Sequence, residues 1–152
     1  MSPLLIDSNI PIIASEQIGE AWATVILNEV AKGNCPAFTS VLYCLEILES
    51  YWQQEKAFEG RVLYKNFKSL LDDQILPLTV EDFDLSESLF KRTPHLPPRD
   101  LIHSAVAIRH QMTDLFSIDG PTYTDIEEVR CVTLNELLRQ LKLTGDYIDE
   151  RN

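Results

Sequence analysis

The sequence predicts an α/β domain, a three-layer sandwich around a mostly parallel central sheet of four to five strands. Three observations predict it. Apolar runs of strand length recur along the chain: PLLI at 3–6, CPAFTS at 35–40, ILPLTV at 75–80, DLFSID at 114–119 and VRCVT at 129–133. Between most of them lie stretches with apolar residues at the three-to-four-residue spacing of a helix. No repeat or low-complexity segment interrupts the alternation, and strands separated by helices pair in parallel with both faces covered.

Each element has its local reason. Residues 16–32 read as a helix, with Ile18, Trp22, Val25, Ile26 and Val30 on one stripe and Gly33 as the stop. Ser40 ends the second strand and can cap the helix VLYCLEILESYWQQ. Residues 58–72 carry Leu63, Phe67, Leu70 and Leu71 at helical spacing. Pro77 lacks an N–H, so the third strand is expected at a sheet edge. Asp84 and Glu87 have the form of a capping box for a short helix through about Lys91. Pro97 and Pro98 open the helix RDLIHSAVAIRHQ, because proline suits a first helical turn. NELLRQLKL, at 135–143, reads as a last short helix, with a polar, frayed end from Thr144.

The chain has 152 residues, 45% of them hydrophobic and 9% aromatic, as in an ordinary globular domain. No apolar run reaches the length of a membrane span, and Met1-Ser2 leads directly into a strand, so a soluble, cytoplasmic protein without membrane contact is expected. Cys35, Cys44 and Cys131 lack zinc-site spacing and read as buried structural thiols. The net charge of −11 argues against broad electrostatic affinity for nucleic acid, though not against a local basic patch.

Four acids stand out on this map. Asp7 and Asp119 both end apolar strands, in LLID and LFSID, and so point into the loops where open α/β sheets bind ligands. Glu46 sits among Leu42, Leu45 and Leu48, where an ionised carboxylate requires a partner or a metal. Asp100 lies in the first turn of its helix, where the macrodipole favours an anion. Singly, Asp7 could be an Asx turn, Asp100 a dipole partner and Glu46 the polar edge of a helix. Together they form a set of hard oxygen donors suited to magnesium or manganese.

The segments LIDSNI, FTSVLYCLEIL, PPRDLIHSAVAIRH and LFSID resemble, in order and spacing, the four motifs of PIN domains, the ribonuclease fold of VapC-type toxins. The resemblance spans about residues 3–133. It implies a PIN-like nuclease domain at 1–133, with 134–152 as its C-terminal helix and tail, onto which no role is carried. It implies that Asp7, Glu46, Asp100 and Asp119 are catalytic and hold Mg2+ or Mn2+, supported by Asn9 and Ser117. Glu46 is chosen over Glu49, one turn later, on its EIL context. The pattern departs after Asp119: Tyr123 falls in an aromatic slot and Thr124 where an acid is frequent, which leaves Asp125 as the candidate fifth acid.

The implied activity is metal-dependent endonucleolytic cleavage of RNA by metal-activated water, by the toxin of a type II toxin–antitoxin pair. The implied partners are an RNA substrate, a cognate antitoxin and a second copy of the chain in a homodimer. Arg99, Lys91 and Arg92, around the start of the Asp100 helix, are the candidate RNA contacts. Arg61, Lys65 and Lys68 form a second basic stripe that reads more readily as a solvated helix face. His103, one turn after Asp100, could orient a carboxylate, but a packing role is the commoner fate, and it stays outside the catalytic set. The alternatives are a catalytically silent PIN-like binding domain and a housekeeping RNA-processing nuclease. A haloacid-dehalogenase-type phosphatase ranks low, because its chemistry wants an Asp where this chain has Asn9.

Overall fold

The computed structural model describes residues 1–16, 21–118, 123 and 125–143. Its element order is β1 (Leu4–Ile6), α1 (Asn9–Glu16), α2 (Ala21–Ala31), β2 (Ala37–Ser40), α3 (Val41–Gln53), α4 (Ala57–Leu71), β3 (Ile75–Leu76), α5 (Val80–Arg92), α6 (Pro98–Arg109), β4 (Asp114–Phe116), β5 (Arg130–Cys131) and α7 (Leu134–Gln140). The five strands form one sheet in the order β3-β2-β1-β4-β5. Every pairing is parallel: Leu4 faces Ala37 on β2 and Asp114 on β4, and Asp114 in turn faces Arg130 on β5. All carboxyl ends therefore lie on one edge. The chain grows outward from β1 to β3 and then crosses back beyond β1, so the order reverses between β1 and β4.

Period-two alternation divides the core in two. Leu4, Ile6, Ala37 and Phe116 point to one face, where Trp22, Ile26, Ile47, Phe67, Leu137 and Leu138 cover them. Leu5 and Leu115 point to the other, under Leu89, Leu101, Ala105 and Val106 of α5 and α6. Trp22 meets Phe116 edge to face, with ring centroids 5.9 Å apart. The layers are α/β/α, as the sequence predicts.

The local signals hold in most places. Ser40 Oγ accepts the Tyr43 amide and caps α3. Gly33, at φ 78°, ends α2 while Gly33 N donates to Val30 O and Asn34 N to Glu29 O, the paired bonds of a Schellman motif. β3 lies at the sheet edge and stops before Pro77. Cys35 and Cys44 are buried, and burial pushes each thiol up to about 11.

Two expectations need correction. The first long helix is described over 21–31, Glu16 belongs to the helix before it, and residues 17–20, Ile18 among them, lie outside the described residues. A separate helix, α1, precedes it; its start IPII lacks a polar face, and its proline falls in the first turn, where no helical bond is lost. The second concerns α5, which starts at Val80 instead of near Asp84. Its capping box is Thr79 with Asp82, because Asp82 also accepts Arg109 of α6 at 2.7 Å and is wholly buried. That earlier start puts Asp82, Ser86 and Leu89 on one inward stripe.

The α3–α4 crossing depends on a missing side chain. A Cβ at Gly60 would stand 2.5 Å from Tyr51 Cβ, an atom fixed to the α3 backbone. Alanine would gain about 1 kcal/mol in helix propensity, but parting two packed helices costs about 1–3 kcal/mol. Gly60→Ala is therefore expected to lower stability by about 1 kcal/mol, measured by urea unfolding; an increase would show that the crossing adjusts freely.

Candidate active site

Where the strand order reverses, Asp7 leaves β1 and is buried, 5% exposed. Its carboxylate is held on both oxygens. Ser117 Oγ, just past β4, donates to Oδ2 at 2.5 Å, while Ser8 Oγ at 3.0 Å and the Asn9 amide at 3.2 Å reach Oδ1. Asn9 Nδ2 donates to Ser117 Oγ at 3.2 Å, which orients that hydroxyl. Asp7 is thus an Asx-type turn at the head of α1 and a cleft carboxylate at once.

Asp7, Ser8, Asn9, Glu46, Asp100 and Tyr123 line one cleft of about 650 Å³, with Pro97, Pro98 and Arg99 as its remaining wall. Glu46 reaches it from the middle of α3. Its Oε1 meets His103 Nε2 at 2.8 Å and Arg99 at 3.6 Å, and its Oε2 lies 3.1 Å from Ser8 Oγ, whose one hydrogen it shares with Asp7 Oδ1. One serine hydroxyl therefore stands between the Asp7 and Glu46 carboxylates. Asp100 comes from the first turn of α6, opened by Pro98 as predicted.

The two carboxyls respond oppositely to their surroundings. Burial pushes Asp7 above its usual range, although Ser117, Asn9 and Ser8 oppose the shift. Burial also acts upward on Glu46, but the His103 hydrogen bond and charge, with Ser8 and Arg99, hold it below its usual range. Tyr123 is pushed far up by burial and by the nearby Asp7 charge, so it faces the cleft as a neutral phenol.

The other site expectations divide. Asp119 lies outside the described residues, as does Thr124. Glu49 is absent from the cleft wall and pairs with Arg99 at 2.7 Å. Arg99 lines the cleft, whereas Lys91 and Arg92 stand outside it, and Arg92 is taken by Glu128 at 2.7 Å. Asp125 is also outside the wall and bonds His95 at 2.6 Å. Sequence reasoning did not identify Ser8, nor Tyr43, whose ring stacks on His103 behind Glu46. Ser8 follows a strand-end acid, and Tyr43 sits three residues before Glu46 on one helix face; those spacings were the available signals.

Among the described residues, no three His, Cys, Asp or Glu side chains are arranged to hold a metal ion. In type, the cleft acids suit a hard cation: three carboxylates from separate elements, one of them buried at the expense of its charge. A parallel α/β sheet with an oxygen-donor cleft at its switch point is the class that fold and site define.

Solved structures sharpen that class. A chain of VapBC2 from Rickettsia felis, bound to a DNA fragment from their promoter, superposes with TM-score 0.68 at 15% identity, covering 86% of this chain and 97% of that one. A chain of FitAcB from Neisseria gonorrhoeae gives 0.70 at 13%, with the same coverage of 86% and 97%. A chain of a toxin–antitoxin complex from Klebsiella pneumoniae gives 0.61 at 20%, again over 86% and 97%. No family model matches the sequence, and no characterised protein matches it significantly. The chain has the PIN-domain, VapC-like fold.

The upward shift at Asp7 makes a stability prediction whose sign is fixed. A carboxyl that binds its proton more tightly when folded loses stability as pH rises through its folded pKa. In EDTA at pH 7.5, Asp7→Asn is expected to raise Tm by about 2–4 °C, the scale of 1 kcal/mol for a chain of this size. The gain should vanish as pH falls to the ordinary carboxylate range, where the wild-type group is neutral as well. A lower Tm at pH 7.5 would mean that the three hydrogen bonds outweigh burial.

Proposed function

We propose that this chain is a metal-dependent endoribonuclease, a hydrolase acting in the cytoplasm as the toxin of a type II toxin–antitoxin pair. One observation carries the reading: Asp7, Glu46 and Asp100, from three separate elements, line a single cleft at the reversal point of a VapC-like sheet. The likeness to chains of toxin–antitoxin complexes favours a toxin over a housekeeping nuclease and supports a cognate antitoxin as partner. A homodimer belongs to the same proposal.

Asp7, Glu46, Asp100 and Asp119 would hold Mg2+ or Mn2+. The ion supplies Lewis acidity, which activates water and offsets charge on the RNA phosphate. The chain's own residues do the rest. Ser117 and Asn9 hold the Asp7 carboxylate, and Ser8 keeps it beside Glu46. Tyr123 keeps its proton and offers a neutral hydroxyl to the cleft. Arg99, on the cleft wall, would contact substrate phosphate, and Lys91 and Arg92, outside that wall, are the further phosphate contacts proposed with it.

A specific observation favours one other reading. His103 and Arg99 both address Glu46 Oε1, which would suit a catalytically silent PIN-like binding domain with its acid neutralised from within. Calorimetry with Mn2+ on the wild type and on Asp7→Asn combined with Asp119→Asn separates the two, paired with cleavage of a structured-RNA pool with and without EDTA. Binding abolished in the double variant, with EDTA-sensitive cleavage, is expected. No binding and no cleavage would leave the silent domain.

RNA affinity should fall with salt. Replacing Arg99, Lys91 and Arg92 with alanine is expected to flatten that dependence, with Arg99→Ala alone reducing the slope by about 1. An unchanged slope in the triple variant would place the phosphate contacts elsewhere.

A further inference from the structure

His103 lies on α6 one turn beyond Asp100 and is 1% exposed. Its Nε2 is 2.8 Å from Glu46 Oε1. An ionised carboxylate can only accept, so Nε2 carries the hydrogen and donates it. The ring lies flat on Tyr43, with centroids 3.5 Å apart and planes 7° from parallel. Tyr43 is itself fixed: it is fully buried, and its hydroxyl meets that of Tyr123, on the cleft wall, at 3.2 Å. The direction of the Nε2–H bond is therefore set by packing.

The opposite ring nitrogen has the other half of the argument. Among the described residues His103 Nδ1 is buried without a hydrogen-bond partner. A buried polar atom left unmatched destabilises the fold, and a histidine serving packing alone is normally satisfied on both sides. Leucine would fill this apolar layer without that cost. The position keeps a polar ring in this layer and aims its Nε2 at a cleft acid.

Glu46 needs such a guide. It extends from the interior of a helix through three rotatable bonds, and only contacts at its far end select one orientation. Arg99 approaches the same oxygen, but at 3.6 Å and with 47% of its side chain exposed, and its closer partner is Glu49. Ser8 reaches the other oxygen, Oε2, at 3.1 Å, and His103 is the rigid contact on Oε1. We propose that His103 is a positioning residue, whose Nε2–H holds Glu46 Oε1 so that the carboxylate faces Asp7 across Ser8, ready to share a divalent ion. This inference rests on the proposed metal-dependent function and specifies how one of its ligands is oriented. Partners of this kind, one shell behind the ligands, commonly alter metal affinity by about 10–100-fold.

The test compares Mn2+ affinity by calorimetry in the wild type, His103→Leu and His103→Gln, with Tm in EDTA for each. Leucine keeps the volume and removes the donor; the glutamine amide nitrogen falls near the position of Nε2 and restores it. His103→Leu is expected to bind Mn2+ at least about tenfold more weakly without a fall in Tm, and His103→Gln to recover most of that loss. A packing role alone predicts the reverse order, with leucine tolerated and glutamine impaired. Should His103→Leu fail to fold, His103→Asn takes its place, since its shorter amide cannot reach Glu46, and the same loss is expected. Wild-type affinity in the donor-free variant overturns this inference alone. A wild type that binds no Mn2+ overturns the proposed function and this inference together.

Discussion

An ionised carboxylate at the buried end of a central strand must find its solvation inside the protein, and Asp7 imposes that requirement on everything around it. Ser117 arrives because β4 pairs beside β1 in parallel register, with Phe116 opposite Ile6. Asn9 and Ser8 arrive because the chain turns at once into α1. The hydrogen bonds reduce the cost without removing it, since burial still pushes Asp7 upward. In the proposed function a bound cation would offset that remaining cost.

Glu46 shows the complementary solution. Its helix passes over the carboxyl edge of the sheet, with Ile47 and Tyr51 in one core and Tyr43 in the other. The same helix that joins the two packed layers thus delivers an acid to the cleft between them. Of the groups that hold Glu46 low, His103 and Arg99 come from α6, which also supplies Asp100, and Ser8 comes from the turn after β1. Packing of α6 against the sheet therefore sets the cleft's positive and negative groups in one step. Stability and site geometry depend on the same contacts here.

The partition of exposed groups follows from the same architecture. Carboxylates at the sheet edge gather at the switch point, while cations elsewhere are drawn into local pairs, Arg92 with Glu128 and Arg130 with Asp114 and Glu136. Arg99 is the cation that remains on the cleft wall, shared between Glu46 and Glu49. Among the described residues, a chain of net charge −11 thus places one guanidinium at its acidic cleft rather than a broad basic face.

The sequence by itself determined the alternation of strands and helices, the caps at Ser40 and Gly33, the edge position of β3 and the strand-end placement of Asp7, because each depends on neighbours within a turn or a pleat. It misplaced the start of α5, because two capping-box patterns follow one another there and only Arg109, far along the chain, favours Thr79 with Asp82. It also missed α1, whose apolar first turn carries no amphipathic signal. Only the tertiary structure decided that Glu46 lines the cleft while Glu49 turns to Arg99, that Ser8 links two carboxylates and that His103 meets one of them. The physical reason is distance along the chain. The Ser8–Glu46 and His103–Glu46 bonds join β1, α3 and α6, and no local periodicity records which side chains three separate elements bring to one point.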